Sequence, residues 1–219
     1  MGAKILLKEQ DAQRVMIVGA GNFGCKVAER LNEQKQAGFT IVACDTDQHD
    51  LESTEVPNRL LLEAENTSFV SQIIKKSVDY LCADEGDITG ESFNTNFTIV
   101  PIRKLLNDDS DTVIVVAGMG GKCGTEAAAS IAREAKAAGK RTAAVVTLPF
   151  PFEGEQRMEK AIKGVACLLP YVGELHVMNF ENKIDSNTIA ARAFDMAEEM
   201  MCEAVTKMAE PRLSGAKTL

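Results

Sequence analysis

Val15-Met16-Ile17-Val18-Gly19-Ala20-Gly21-Asn22-Phe23-Gly24 is an apolar run that breaks into spaced glycines and passes into a segment of helical periodicity. A short uninterrupted apolar run suits a strand buried on both faces. The spacing G-x-G-x-x-G suits a tight turn into a helix whose first N–H groups are free to meet phosphate. The pattern predicts a strand over Arg14–Val18 and a helix over Asn22–Gln36. Gly19, Gly21, Asn22 and Gly24 are thereby candidate phosphate-binding positions. Asp45 closes the next apolar run, Phe39–Cys44, about twenty residues further on, where a dinucleotide fold places its ribose-binding acid. On these residues alone two readings stand: a dinucleotide site, or a strand–helix turn with no ligand.

The same alternation continues along the chain. Arg59–Leu62 reads as a short third strand, and Thr67–Cys82 carries apolar residues at helical spacing. Residues 83–96 are polar and glycine-containing, a long surface loop. Pro101–Asn107 reads as a helix with proline in its first turn. Thr112–Ala117 and Thr142–Thr147 are buried strands, and Thr125–Ala138 is an alanine-rich helix between them, ended by Gly139. The proline-containing loop Leu148–Gly154 leads to a helix over Glu155–Leu168, a strand near Glu174–Met178 and a long helix over Asn187–Glu210. Apolar strands alternating with helices imply a doubly wound α/β domain, with a mostly parallel sheet and helices on both faces. Ligands of such sheets sit at the carboxyl ends of the strands. The expected organisation is an N-terminal extension (1–13), a nucleotide-binding domain (14–184), a long C-terminal helix (185–210) and a tail (211–219).

A second glycine loop, Ala117-Gly118-Met119-Gly120-Gly121-Lys122-Cys123-Gly124-Thr125, also runs from a buried strand into a helix. A dinucleotide site needs one such loop. Two on one sheet edge suggest phosphates gripped from both sides by backbone N–H groups, with the Thr125 hydroxyl at the helix start able to join them. The spacing is not that of a P-loop.

From here the sequence resembles a known family. The stretch AGMGGKCGTEAAASIAREAKAAGKRTAAVVTLPFPFEGEQR is similar to the FtsZ segment running from its glycine-rich signature loop to K-P-F-x-F-E-G-x-x-R. Gly19–Gly24 and Asp45-Thr46-Asp47 resemble its first phosphate loop and its N-T-D turn. The resemblance covers about residues 14–50 and 111–205, and residues 51–110 align poorly. It implies a GTP-binding domain of the FtsZ/tubulin type. By that resemblance Gly120, Gly121, Gly124 and Thr125 hold the terminal phosphates, Gly21 and Gly24 lie under the diphosphate, and Glu153 and Arg157 sit near ribose and base. Base recognition falls to the loop Asn179-Phe180-Glu181-Asn182 and to the last helix, where Phe194 matches and Glu198 and Glu199 are the carboxylates on offer. A carboxylate can accept from guanine N1 and N2.

The sequence departs from the family at several places. Lys122, Cys123 and Glu126 replace a glycine, a threonine and a glycine of the signature loop. No counterpart of the glycine-rich third loop is evident, unless residues 83–96 replace it. The second domain, with the acidic loop that hydrolyses a neighbouring subunit's GTP, has no counterpart in the 219 residues. Slow or absent hydrolysis is the corresponding expectation.

The totals agree with such a domain and narrow the partners. A net charge of −8 discourages nucleic acid and anionic membrane, and no apolar run approaches a membrane span. Six scattered cysteines and two histidines make no metal-ligand pattern. A cytoplasmic protein is expected, binding GTP or GDP with or without Mg²⁺ and associating with itself as an oligomer or filament, or with a protein partner. The alternatives are an NAD- or FAD-binding domain built on the first loop, and a structural module that keeps its glycines only for backbone turns.

Overall fold

The computed structural model describes residues 14–35, 38–62, 99–181 and 188–210. Thr67–Cys82, the polar stretch 83–96 and Asn182, all singled out in the sequence, lie outside the described residues. The elements run β1 (Val15–Ala20), α1 (Gly21–Glu33), β2 (Phe39–Asp45), α2 (Gln48–Ser53), β3 (Asn58–Leu61), α3 (Ile99–Leu105), β4 (Thr112–Gly118), α4 (Cys123–Ala137), β5 (Arg141–Thr147), α5 (Glu155–Leu168), β6 (Glu174–Met178) and α6 (Ala190–Ala209). Short 3₁₀ turns, Pro151–Glu153 and Leu169–Tyr171, flank α5.

The six strands form one sheet in the order β3-β2-β1-β4-β5-β6, every pair parallel. The apolar runs build it because β1, β4 and most of β5 are covered on both faces. Alternate side chains separate two cores. Val15, Ile17, Ile114, Val116 and Val145 pack under α1 and α6, whereas Met16, Val18, Val113, Val115 and Val146 pack under α3, α4 and α5. Helix α6 turns Ala193, Ala197, Met201, Cys202, Val205 and Met208 to the first of these cores. Its methionines at 201 and 208 are thus core residues.

Chain direction then fixes where a ligand can go. From β1 the chain crosses through α1 to β2 on one side, and from β4 through α4 to β5 on the other. Right-handed crossovers in opposite directions put α1 and α4 on opposite faces and leave their N-termini side by side where the winding reverses. Both glycine loops lie there. Helix α2 is the element the sequence reading passes over. Asp47 caps it, accepting from the backbone N–H of His49 at 2.8 Å, but it has six residues and buries only Leu51.

Candidate nucleotide site

A cavity of about 450 Å³ opens at the carboxyl edge of the sheet, between the start of α1, the start of α4, the β5–α5 connection and the middle of α6. Gly21, Asn22, Asp45, Gly121, Lys122, Cys123, Gly124, Glu153, Arg157, Phe194 and Glu198 line it. Eleven positions chosen from sequence, spread over six elements and a loop, therefore meet in one space. That volume is within the range of small-molecule sites.

The glycine loops make its floor. Gly21 has φ +74°, and a β-carbon there would lie 2.7 Å from the Gly124 amide nitrogen, so the two loops touch through bare backbone. Gly120, at φ +90°, passes under α5, where a β-carbon would lie 2.5 Å from the Arg157 carbonyl oxygen. Gly121 differs: a β-carbon there would meet nothing within 4 Å except the Arg157 guanidinium at 3.7 Å. A side chain at 121 would therefore take up cavity space. Neither α1 nor α4 has a side-chain cap, so two helix N-termini present their dipoles to the cavity.

Gly19, Gly24, Gly120 and Thr125 stand behind this floor and support it. Gly24 lets α1 pass close over β4, since a β-carbon there would fall 2.5 Å from the Val116 carbonyl oxygen. The buried Thr125 hydroxyl accepts from the Gly120 N–H at 2.9 Å and donates to the Gly121 carbonyl at 2.6 Å. It staples the loop from within, holding the backbone that faces the cavity.

The carboxylates have definite partners. Asp45 accepts from the N–H groups of Thr46 (2.6 Å) and Asp47 (3.2 Å), closing the turn after β2. Glu153 accepts from the Phe150 N–H at 2.8 Å and pairs with Arg157 at 2.7 Å. Glu198, almost fully buried, takes Arg30 Nε of α1 at 2.7 Å. Its hydrogen bond to Glu198, opposed by partial burial, holds the Arg30 guanidinium above its ordinary pKa.

Cys123 faces the turn that follows β2. Burial, followed by the charge of Asp45, pushes the pKa of its thiol up to about 12. Cys25 lies nearby, its thiol 3.5 Å from the Cys44 carbonyl oxygen, and burial raises it likewise to about 12. Among the described residues, no group of three His, Cys, Asp or Glu side chains is arranged to hold a metal ion.

At the far end of the cavity four aromatic rings gather. Phe150 stacks on Phe152 with centroids 5.0 Å apart and meets Phe194 edge-on at 5.1 Å, with Phe180 5.9 Å away on its other side. Phe152 is 58% exposed at this rim. Lys26, Asp50, Pro149 and Phe150 also line the cavity, and sequence reasoning did not single them out. Lys26 was within reach of it, because helical periodicity puts residue 26 on the face of Asn22, four positions earlier.

Residues 14–188 match the family model described as Tubulin/FtsZ family, GTPase domain. The chain belongs to the tubulin/FtsZ family. Among FtsZ relatives, the cell division protein of Aquifex aeolicus is 35% identical over 155 residues, covering 71% of this chain and 39% of the relative. That of Porphyromonas gingivalis is 31% identical over 199 residues, or 90% and 41%. A solved FtsZ dimer from M. jannaschii superposes with a TM-score of 0.74 at 27% identity, covering 97% of this chain and 58% of that one. CetZ1 of Haloferax volcanii, a GDP-bound monomer, shares the fold at a TM-score of 0.65 and 17% identity. This chain spans about 40% of the two FtsZ proteins named. Among the described residues, no helix is long and apolar enough to cross a membrane.

Proposed function

We propose that this FtsZ/tubulin-like chain binds GTP or GDP in the 450 Å³ cavity. The observation that carries the reading is the contact of two glycine loops at the point where the winding of the sheet reverses. A dinucleotide site has one such loop, so the NAD or FAD alternative leaves the second unexplained. The N-termini of α1 and α4 receive the phosphates, Glu153 and Arg157 face the ribose, and Phe194 and Glu198 face the base. With Arg30 on Oε2, Glu198 keeps Oε1 to accept from a guanine N–H. A divalent cation arriving with the nucleotide would be held chiefly by phosphate oxygens and water.

Hydrolysis by the isolated chain is slow in this reading. Asp45, Glu153 and Glu198 already accept hydrogen bonds from the protein, which makes them poor bases for an attacking water. A different chain that brings the missing group would have to complete the site for hydrolysis, while self-association over the nucleotide face gives an oligomer or filament. The solved M. jannaschii protein is an FtsZ dimer, which supports self-association. A cytoplasmic setting fits this function.

Calorimetric titration with GTP, GDP, ATP and NAD tests the reading. Guanine-selective binding that is lost in Gly121→Leu is the expected result. A response to NAD alone, or to no nucleotide at millimolar concentration, overturns it. Phosphate release by the purified chain is expected to stay far below about one per second. Turnover at about one per second or faster overturns the slow-hydrolysis part.

A further inference from the structure

We propose that Lys122 gives the terminal phosphate of a bound nucleoside triphosphate a resident positive charge, so that this chain holds the triphosphate with little help from a divalent cation. The inference rests on the nucleotide reading above and goes further by assigning a residue to the choice between triphosphate and diphosphate.

Two of the loop's departures from its family bear on this. Lys122 and Glu126 both replace glycine, and they stand four residues apart at the start of α4, where a helix-surface ion pair would be the ordinary outcome. The structure pairs them otherwise. Glu126 turns to Lys160 of α5, at 3.7 Å, and Lys122 forms no ion pair among the described residues. Lys122 lines the cavity instead, beside Gly121 and Cys123. The direct ion pair of Glu126 is thus with Lys160, Lys122 acting on that carboxylate only through its charge, and Lys122 is left beside the phosphate-binding backbone.

Charge balance gives that ammonium group its role. Each helix N-terminus offers about half a positive charge, so the two here supply roughly one against the several negative charges of a triphosphate. Arg157 is already engaged by Glu153 at 2.7 Å, Lys26 shares the cavity lining with the carboxylates of Asp45 and Asp50, and the protein as a whole carries −8. The deficit is usually met by a metal ion, whereas here a lysine is built into the loop. As a flexible point charge with three donors, it can follow the outermost phosphate, which a diphosphate lacks.

Dissociation constants for GTP and GDP, measured by calorimetry with Mg²⁺ and again with EDTA, test the proposal in the wild type, Lys122→Met, Lys122→Gly and Lys122→Arg. Chelation is expected to weaken GTP binding by the wild type and by Lys122→Arg less than about threefold. In EDTA, Lys122→Met and Lys122→Gly should lose roughly tenfold or more for GTP, much less for GDP, and recover most of the loss when Mg²⁺ is restored. Unchanged GTP affinity of both variants in EDTA overturns the proposal. So does an equal loss for GTP and GDP that Mg²⁺ does not repair, which marks Lys122 as a support of the loop. If the wild type binds neither nucleotide, the nucleotide reading itself fails and takes this inference with it; binding by the wild type with unaffected variants defeats the inference alone.

Discussion

Gly21 and Gly124, from loops on two different strands, are in backbone contact: a β-carbon on Gly21 would lie 2.7 Å from the Gly124 nitrogen and 2.9 Å from its Cα. The two glycines join the halves of the cavity floor. Gly21→Ala meets both a left-handed backbone, φ +74°, and a collision with the second loop. Gly139, at φ +75° with nothing within 4 Å of its added β-carbon, isolates the backbone part. Gly139→Ala should cost about 1 kcal/mol in urea unfolding, and Gly21→Ala about 2–3 kcal/mol together with guanine-nucleotide binding. Equal costs for the two would show that the loops do not bear on each other.

Arg30 and Glu198 tie α1 to α6 through a carboxylate that is only 5% exposed. Arg30→Met strands that carboxylate and should destabilise the protein by roughly 2–4 kcal/mol. Arg30→Met combined with Glu198→Leu should regain most of the loss, because both charges are then gone. Urea midpoints of the single and double variants measure this. A double variant as unstable as the sum of its parts would remove the coupling.

Thiol reactivity follows from burial. Cys25 and Cys123 are pushed up to about 12 and Cys202 to about 11, each chiefly by loss of solvent. At pH 8 their thiolate fraction is at least about a hundredfold below that of an ordinary cysteine near 8.5. Site-resolved mass spectrometry after iodoacetamide treatment should find all three labelled correspondingly slowly. Rapid labelling of Cys123 in the native protein would contradict its burial beside the Asp45 charge.

An acid-sensitive tie sits at the opposite edge of the sheet. Partial burial raises the Asp108 pKa, but Lys140 at 2.8 Å and the Ser110 hydroxyl at 2.6 Å outweigh it and hold the group below its ordinary value of 3.8. A depressed carboxyl stabilises the fold above its unfolded pKa and loses that contribution as pH falls through the folded one. Asp108→Asn should therefore cost about 0.5–1 kcal/mol at pH 7 and progressively less below pH 3.8. Urea unfolding at pH 7 and pH 3 compares the two, and a cost that persists in acid would assign it to packing.

The strands and the two glycine loops were legible because their signals are local. An apolar run such as Thr112–Ala117 suits little else than a buried parallel strand, and glycine spacing marks a turn wherever it falls. Side-chain partners were less legible. Sequence places the Thr125 hydroxyl at the helix start, but its pairing with the Gly120 N–H and the Gly121 carbonyl depends on how the loop folds back and has no linear signal. Arg30 and Glu198 are 168 residues apart, and no linear spacing announces their pairing. Helix α2 was missed because six residues with one buried leucine leave no measurable period.

The pairing of β1 with β4 also governs how this site comes into being. Ala20 lies beside Ala117, a partner almost half the chain away, and no floor exists until that parallel register closes. Contacts so distant in sequence carry a large loop-closure entropy and form slowly. The cavity is therefore a product of completed topology, absent from either half of the sheet alone. Any ligand that needs both loops recognises only the finished sheet and draws the folding equilibrium toward it by mass action. In a newly made chain, the nucleotide would act as a late clamp on the fold.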